Sequence, residues 1–155
     1  QYNKKLYGVV SNMSIAVERR DFLKHFDCFI CNQLEAGMLF MEDYADKSPE
    51  ELRDILSKRV ILGKIPAMIV TMGGNGAVYA DVNGEKGICP PQRVRVKDTT
   101  GAGDAFCAGV ASGLTYGKTL SEAVEIGSRL AASVITSSEN VCPRFLPEEF
   151  GITLD

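Results

Sequence analysis

The sequence predicts an α/β fold, a mostly parallel sheet with helices on both faces. Three observations carry that expectation. Short apolar, β-branched runs alternate with stretches that open on helix caps. A hairpin signal, Asn83-Gly84, comes only after that alternation is established. Three segments rich in glycine or side-chain amide and carboxyl groups, starting at Asn32, Thr71 and Asp98, each directly follow a strand-like run. Ligands of such sheets bind at the carboxyl ends of strands.

In chain order, Leu6–Ser11 (LYGVVS) reads as a strand. Ser14 reads as the N-cap of a helix over Ile15–His25, with Ile15, Val17, Phe22 and Leu23 as its apolar members. Cys28–Cys31 is continuous and apolar, the mark of a strand buried on both faces. Ser48-Pro49-Glu50-Glu51 is a capping box with proline at the first helical position, predicting a helix over Pro49–Leu62. Ala67–Thr71 is a second buried strand, and Met72–Gly76 a glycine turn leading to a half-buried strand at Ala77–Asp81. Asn83-Gly84 is a two-residue hairpin signal. Arg93–Val96 alternates as a last strand. Phe106, Ala108, Val110, Ala111 and Leu114 then mark a buried helix. Thr119-Leu120-Ser121-Glu122 opens another, running to Thr136, and Pro147–Phe150 is a short turn.

A chain of 155 residues suits one domain with a sizeable core. Hydrophobic residues make up 45%, charged residues 24%, and the net charge is -3, which argues against nucleic acid as partner. No apolar run is long enough to span a bilayer. The five cysteines are odd in number and scattered, which fits a reduced, cytoplasmic setting. Cys28 and Cys31 spell C-x-x-C, but on a strand residues three apart face opposite ways. Asn12-Met13-Ser14 is a glycosylation sequon on paper, an accidental one in that setting.

The chemistry concentrates in Asp98-Thr99-Thr100-Gly101-Ala102-Gly103-Asp104. Glycine lets a ligand approach the main chain closely. The N–H groups of Gly101 to Asp104 are expected at a helix N-terminus, where donors lack intrahelical partners and the macrodipole favours an anion. Asp104 falls in the first turn. A carboxylate beside such an anion hole suits phosphoryl transfer: it takes the proton of an attacking hydroxyl while the amides hold the developing charge. Read without its neighbours, the stretch is equally a glycine-rich turn with an aspartate at a helix cap. Asn32-x-x-Glu35 puts an amide and a carboxylate one turn apart, either to organise the water shell of Mg²⁺ or simply as a helix-capping pair. Thr71-x-Gly73-x-x-Gly76 offers a hydroxyl and bare backbone to a polyphosphate, or is an ordinary glycine turn. Two motifs fail on inspection. Gly113–Thr119 is one residue short of a P-loop and follows a helix, and Gly101-x-Gly103-x-x-Phe106 lacks the third glycine of a dinucleotide fingerprint.

Together, N-x-x-E, T-x-G-x-x-G and D-T-x-G-A-G-D, in that order, resemble the motifs of the ribokinase-like (PfkB) carbohydrate kinases. The resemblance covers Gln1–Asp155 but only the C-terminal half of the family's three-layer fold, the half carrying the nucleotide site and catalytic base. It implies ATP-dependent transfer of a phosphoryl group to a hydroxymethyl group of a sugar or nucleoside. By the same resemblance Asp104 is the base and Gly101, Ala102 and Gly103 form the anion hole. Asn32 and Glu35 handle Mg²⁺ through water, and Thr71, Gly73 and Gly76 hold ATP. Ser128 matches a position lining the adenine pocket, where Gly127, Ala131 and Ala132 are small enough for a base or, equally, for close helix packing. Asp98 and Thr100 match positions near a monovalent cation such as K⁺. Against K⁺, Ser138-Glu139-Asn140 stands where that loop commonly carries glycine. Asn32–Phe40 and Leu130–Arg144 have a general likeness to pseudouridine kinases. A missing N-terminal half and a homodimer of the full-length protein are the implied partners, and Gln1 is read as the start of a truncated chain. The rival reading is a non-catalytic nucleotide-binding or assembly half that acts only with a partner chain.

Overall fold

The computed structural model describes residues 5–9, 18, 20–92 and 101–136. The chain divides into two compact units, Gln1–Pro90 and Pro91–Asp155.

The first unit is built on a five-stranded sheet: β1 (Tyr7–Val9), β2 (Cys28–Asn32), β3 (Ala67–Thr71), β4 (Ala77–Asp81) and β5 (Lys86–Cys89), in that spatial order. β1, β2 and β3 run parallel, whereas β3–β4 and β4–β5 pair antiparallel, so the sheet is mixed. The register Phe29↔Met68, Met68↔Ala80 and Val70↔Val78 places Phe29, Cys31, Met68, Val70, Val78 and Ala80 on one face. That face forms a continuous core with Leu23, Leu39, Tyr44, Leu52, Leu56 and Val60. The opposite face, with Cys28, Ile30, Ile69, Ala77 and Tyr79, is buried as well. Burial on both faces accounts for the unbroken apolar runs of β2 and β3.

Two helices join these strands, α1 (Gln33–Phe40) and α2 (Pro49–Gly63). The Ser48 hydroxyl accepts from Glu51 N–H at 3.2 Å, with Pro49 at the first helical position, as its sequence predicts. Both helices end on non-glycine residues in the left-handed conformation, Met41 (φ 57°) and Lys64 (φ 53°). Gly37 lies inside α1 for a different reason: a Cβ there would sit 2.6 Å from the Glu42 carbonyl oxygen.

Three local expectations are corrected. β4, expected to be half-buried, has Ala77, Val78, Tyr79 and Ala80 all buried, because both faces of the sheet are covered there. Of the helix read over Ile15–His25, Arg20–His25 is a 3₁₀ helix in which Leu23 is buried and Phe22 is 46% exposed. At three residues per turn, adjacent residues cannot both face inward. The connection of β4 to β5 runs over residues 82–85 rather than as a two-residue turn. A two-residue Asn-Gly turn needs positive φ at both positions, and here only Gly84 has it (φ 91°). The Asp81 carboxylate shapes the loop instead, accepting from Asn83 N–H at 2.9 Å and Glu85 N–H at 3.0 Å.

The second unit is described through α3 (Ala102–Thr115) and α4 (Leu120–Thr136). Thr119 Oγ1 accepts from Glu122 N–H at 3.2 Å and donates to the Glu122 carboxylate at 3.1 Å. The buried face of α3 is Ala105, Phe106, Gly109, Val110 and Gly113, while Ala108, read as a buried member, is exposed. The reason lies in the helix pairing. A Cβ on Gly109 would meet Gly127 Cα at 2.7 Å, and one on Gly113 would meet Ala123 at 3.0 Å. The two helices touch backbone to backbone, so the glycines mark the inward face and Ala108 turns away from it. The expected strand at Arg93–Val96 and the turn at Pro147–Phe150 lie outside the described residues.

Candidate active site

Asn32 ends β2 and Thr71 ends β3, and the two are direct partners in the parallel register. Adjacent strands lie about 4.8 Å apart, so the two polar residues stand side by side at the carboxyl ends of neighbouring strands. Asn32 is also the N-cap of α1. Its Oδ1 accepts from Glu35 N–H at 2.8 Å, and Glu35 Oε2 accepts from Asn32 N–H at 2.7 Å. This reciprocal capping box satisfies two N–H groups that the start of the helix would otherwise leave open. The capping alternative is therefore realised. It uses one oxygen of the Glu35 carboxylate and the Asn32 side-chain oxygen. Thr71 donates its hydroxyl to the Cys31 carbonyl at 3.5 Å, a long contact. The Cys31 thiol is pushed well above its ordinary pKa, first by burial and then by the charge of Glu35.

Directly after Thr71 the chain makes a 3₁₀ turn over Gly73–Asn75. Gly73 and Gly76 have φ of 56° and 87°, which L side chains rarely adopt. The turn is closed by Met72 N–H to Gly76 O at 2.8 Å and Gly76 N–H to Gly73 O at 3.1 Å. A Cβ at Gly73 or Gly74 would meet nothing within 4 Å. The backbone is thus bare and accessible beside Asn32 and Thr71.

In the second unit, Gly101 is the N-cap of α3 with φ 81°, and its carbonyl accepts the Ala105 N–H at 3.0 Å. It has no side chain to satisfy the amides of the first turn. Asp104 is in that turn and exposed, and a Cβ at Gly103 would again meet nothing within 4 Å. Gly101, Ala102, Gly103 and Asp104 thus form one contiguous helix start. Ser128 is half-buried on α4. Its neighbour Gly127 packs against α3, where a Cβ would lie 2.6 Å from the Phe106 carbonyl oxygen, so helix packing accounts for that glycine. Asp98, Thr100 and Ser138–Asn140 lie outside the described residues.

Gln33 is a residue the motif reading passed over. Its side-chain amide donates to the carbonyls of Tyr44 at 2.5 Å and Ala45 at 3.3 Å. Sequence gives one weak signal for it, its place inside Asn32-x-x-Glu35.

A family model, that of the pfkB family carbohydrate kinases, matches residues 3–143. The chain belongs to this family. A guanosine-inosine kinase from Exiguobacterium acetylicum is 38% identical over 138 residues, 87% of this chain and 44% of that protein. A pseudouridine kinase from Escherichia coli is 35% identical over 69 residues, 44% of this chain and 22% of its own length. The crystal structure of a ribokinase from Thermotoga maritima superposes with a TM-score of 0.70 at 23% identity, covering 97% of this chain and 49% of that one. The fold is ribokinase-like, and the chain spans less than half the length of these relatives. Among the described residues no helix is long and apolar enough to cross a membrane.

Proposed function

We propose that this pfkB-family chain carries the phosphoryl-transfer half of an ATP-dependent kinase acting on a hydroxymethyl group, with a nucleoside as the acceptor. The observation that carries this reading is the start of α3: a left-handed Gly101 with no side-chain cap, an open Gly103 and an exposed Asp104 carboxylate within one turn. The Asp104 carboxylate takes the hydroxyl proton as the acceptor oxygen bonds to the γ-phosphorus. The bond from that phosphorus to the bridging oxygen breaks, and ADP leaves. The amides of Gly101, Ala102 and Gly103 hold the charge on the transferring oxygens. Thr71, Gly73 and Gly76 are assigned to the nucleotide, supported by the open backbone at Gly73, and Ser128 is assigned to its base by the family resemblance.

Asn32 and Glu35 supply oxygen donors suited to a hard cation. The described residues contain no group of three or more His, Cys, Asp or Glu that could hold a metal by itself. An amide oxygen and a carboxylate suit Mg²⁺, which keeps most of its shell as water and phosphate. When bound it neutralises phosphate charge. Asp98 and Thr100 remain the positions proposed for a monovalent cation. A nucleoside acceptor is favoured by the 38% identity to a guanosine-inosine kinase, with pseudouridine the next compound to try.

The span of less than half of these relatives keeps a second reading open, a nucleotide-binding half that turns over only with a partner chain. Two measurements test the proposal. Calorimetry of Mg·ATP on the chain should give binding that Asn32→Ala with Glu35→Ala weakens. Transfer from γ-labelled ATP to guanosine, inosine, pseudouridine and ribose, on the chain as given and in a form extended to the length of its relatives, should label a nucleoside. Binding without transfer in either form supports the second reading, and no binding by a folded sample rejects both.

A further inference from the structure

We propose that Gln33 is a positioning residue, which ties the loop Met41–Ala45 to the first turn of α1 and thereby holds the Asn32–Glu35 pair in one geometry. Its importance for transfer rests on the reading just given; its effect on the pair does not.

The loop is fastened at several points. Glu42 N–H donates to Gly37 O at 2.9 Å, and the absence of a Cβ on Gly37 lets the Glu42 carbonyl lie against the helix. Asp43 Oδ1 accepts from Ala45 N–H at 3.0 Å. Glu42 pairs with Arg59 of α2. The Tyr44 ring is buried in the core that also contains Ala36 and Leu39. These ties act on the middle and end of α1 or on the loop itself. Gln33 alone of these residues lies in the turn that contains Asn32 and Glu35, and its one amide nitrogen donates to two consecutive carbonyls of the loop. The orientation of the amide follows from its partners: turned over, its oxygen would face two carbonyl oxygens and no donor. Asn32 and Glu35 bond to each other's backbone, so their positions depend on how firmly that first turn is held.

The test uses the 155-residue chain with three variants. Gln33→Met keeps the length and removes the donors, Gln33→Glu puts an acceptor against the carbonyls, and Gln33→Lys keeps donors. Amide hydrogen exchange is read at Asn32 and Glu35, with Leu56 and Val60 of α2 as the folding control. Mg·ATP binding is titrated calorimetrically at limiting and at excess Mg²⁺. Gln33→Met and Gln33→Glu should speed exchange at Asn32 and Glu35 by about tenfold and leave Leu56 and Val60 unchanged. Both should weaken ATP binding at limiting Mg²⁺, excess Mg²⁺ should restore it, and Gln33→Lys should resemble the parent. Unchanged exchange at Asn32 and Glu35 overturns the proposal. Faster exchange in α2 as well overturns it too, because Gln33 would then be a general structural residue. Faster local exchange with an unaltered Mg²⁺ dependence overturns the link to the metal. If the parent binds no Mg·ATP, the nucleotide reading falls, and local exchange alone decides whether Gln33 holds the pair.

Discussion

The two glycine-bearing regions of this chain are built on opposite principles. At the ends of β2 and β3 the polar side chains are engaged: Asn32 and Glu35 close a capping box on each other, and Thr71 leans on the Cys31 carbonyl. At the start of α3 the N-cap Gly101 offers no side chain and takes a left-handed turn, and Asp104 is exposed. The first region satisfies its polar groups locally, whereas the second leaves Asp104 exposed in a first turn with no side chain at the N-cap, which is where the proposed function puts a ligand.

The largest effect should come from the open region. Asp104→Asn removes the proposed base without changing size, and transfer should fall by about 10²–10⁴-fold, while calorimetric Mg·ATP binding stays near the parent value. Equal loss of binding and turnover would assign Asp104 to the nucleotide instead. In the closed region, capping and metal handling can be pulled apart. Gln is tolerated at the third position of a capping box, so Glu35→Gln should keep thermal stability and weaken Mg·ATP binding. Asn32→Ala loses the cap and should cost about 1 kcal/mol in denaturant unfolding. If Glu35→Gln destabilises the chain and leaves binding alone, Glu35 is a cap and nothing more. Gly127→Ala probes the support beneath the open region. Its Cβ would lie 2.6 Å from Phe106 O, and overpacking of this kind costs about 1–3 kcal/mol, to be read as a lower unfolding midpoint.

The smallest effect is expected away from both regions. Hydrogen bonds from Arg53 and Lys86, each 3.0 Å, hold the Asp54 carboxyl below the usual carboxylate range. A depressed folded pKa adds stability above the unfolded value, near pH 3.9, and loses it as pH falls through the folded value. Asp54→Asn should therefore lower the melting temperature slightly at neutral pH, with the difference vanishing in acid. The pair is solvent-exposed, so the shift should be small.

Much of the scaffold was legible because its signals are local. The β-branched run Ala67–Thr71 and the strand Ala77–Asp81 fall where the sequence puts them, and Ser48-Pro49 starts α2 as read. Asn32 and Thr71 are legible as strand ends from the apolar runs that precede them. What stayed hidden depends on partners distant in sequence or on competing local bonds. Nothing in Asn32-x-x-Glu35 alone chooses between capping and metal binding. Gln33 acquires its role only when residues 44 and 45 fold back to meet it. Asp81 redirects a hairpin that Asn83-Gly84 would otherwise have closed. Gly109 and Gly113 look like weak points in a helix until the backbone of α4 arrives against them.

One consequence follows from the thiols. Cys28, Cys31 and Cys89 lie in the sheet at 0%, 4% and 7% exposure, whereas Cys107 on α3 is only half-buried. A thiol-specific reagent can reach the sheet cysteines only when the strands part. The raised pKa of Cys31 keeps it in the unreactive protonated form until then. In a Cys142→Ser background, labelling at Cys107 and at the sheet thiols would separate in time. The chain carries its own pair of stopwatches, one for each unit.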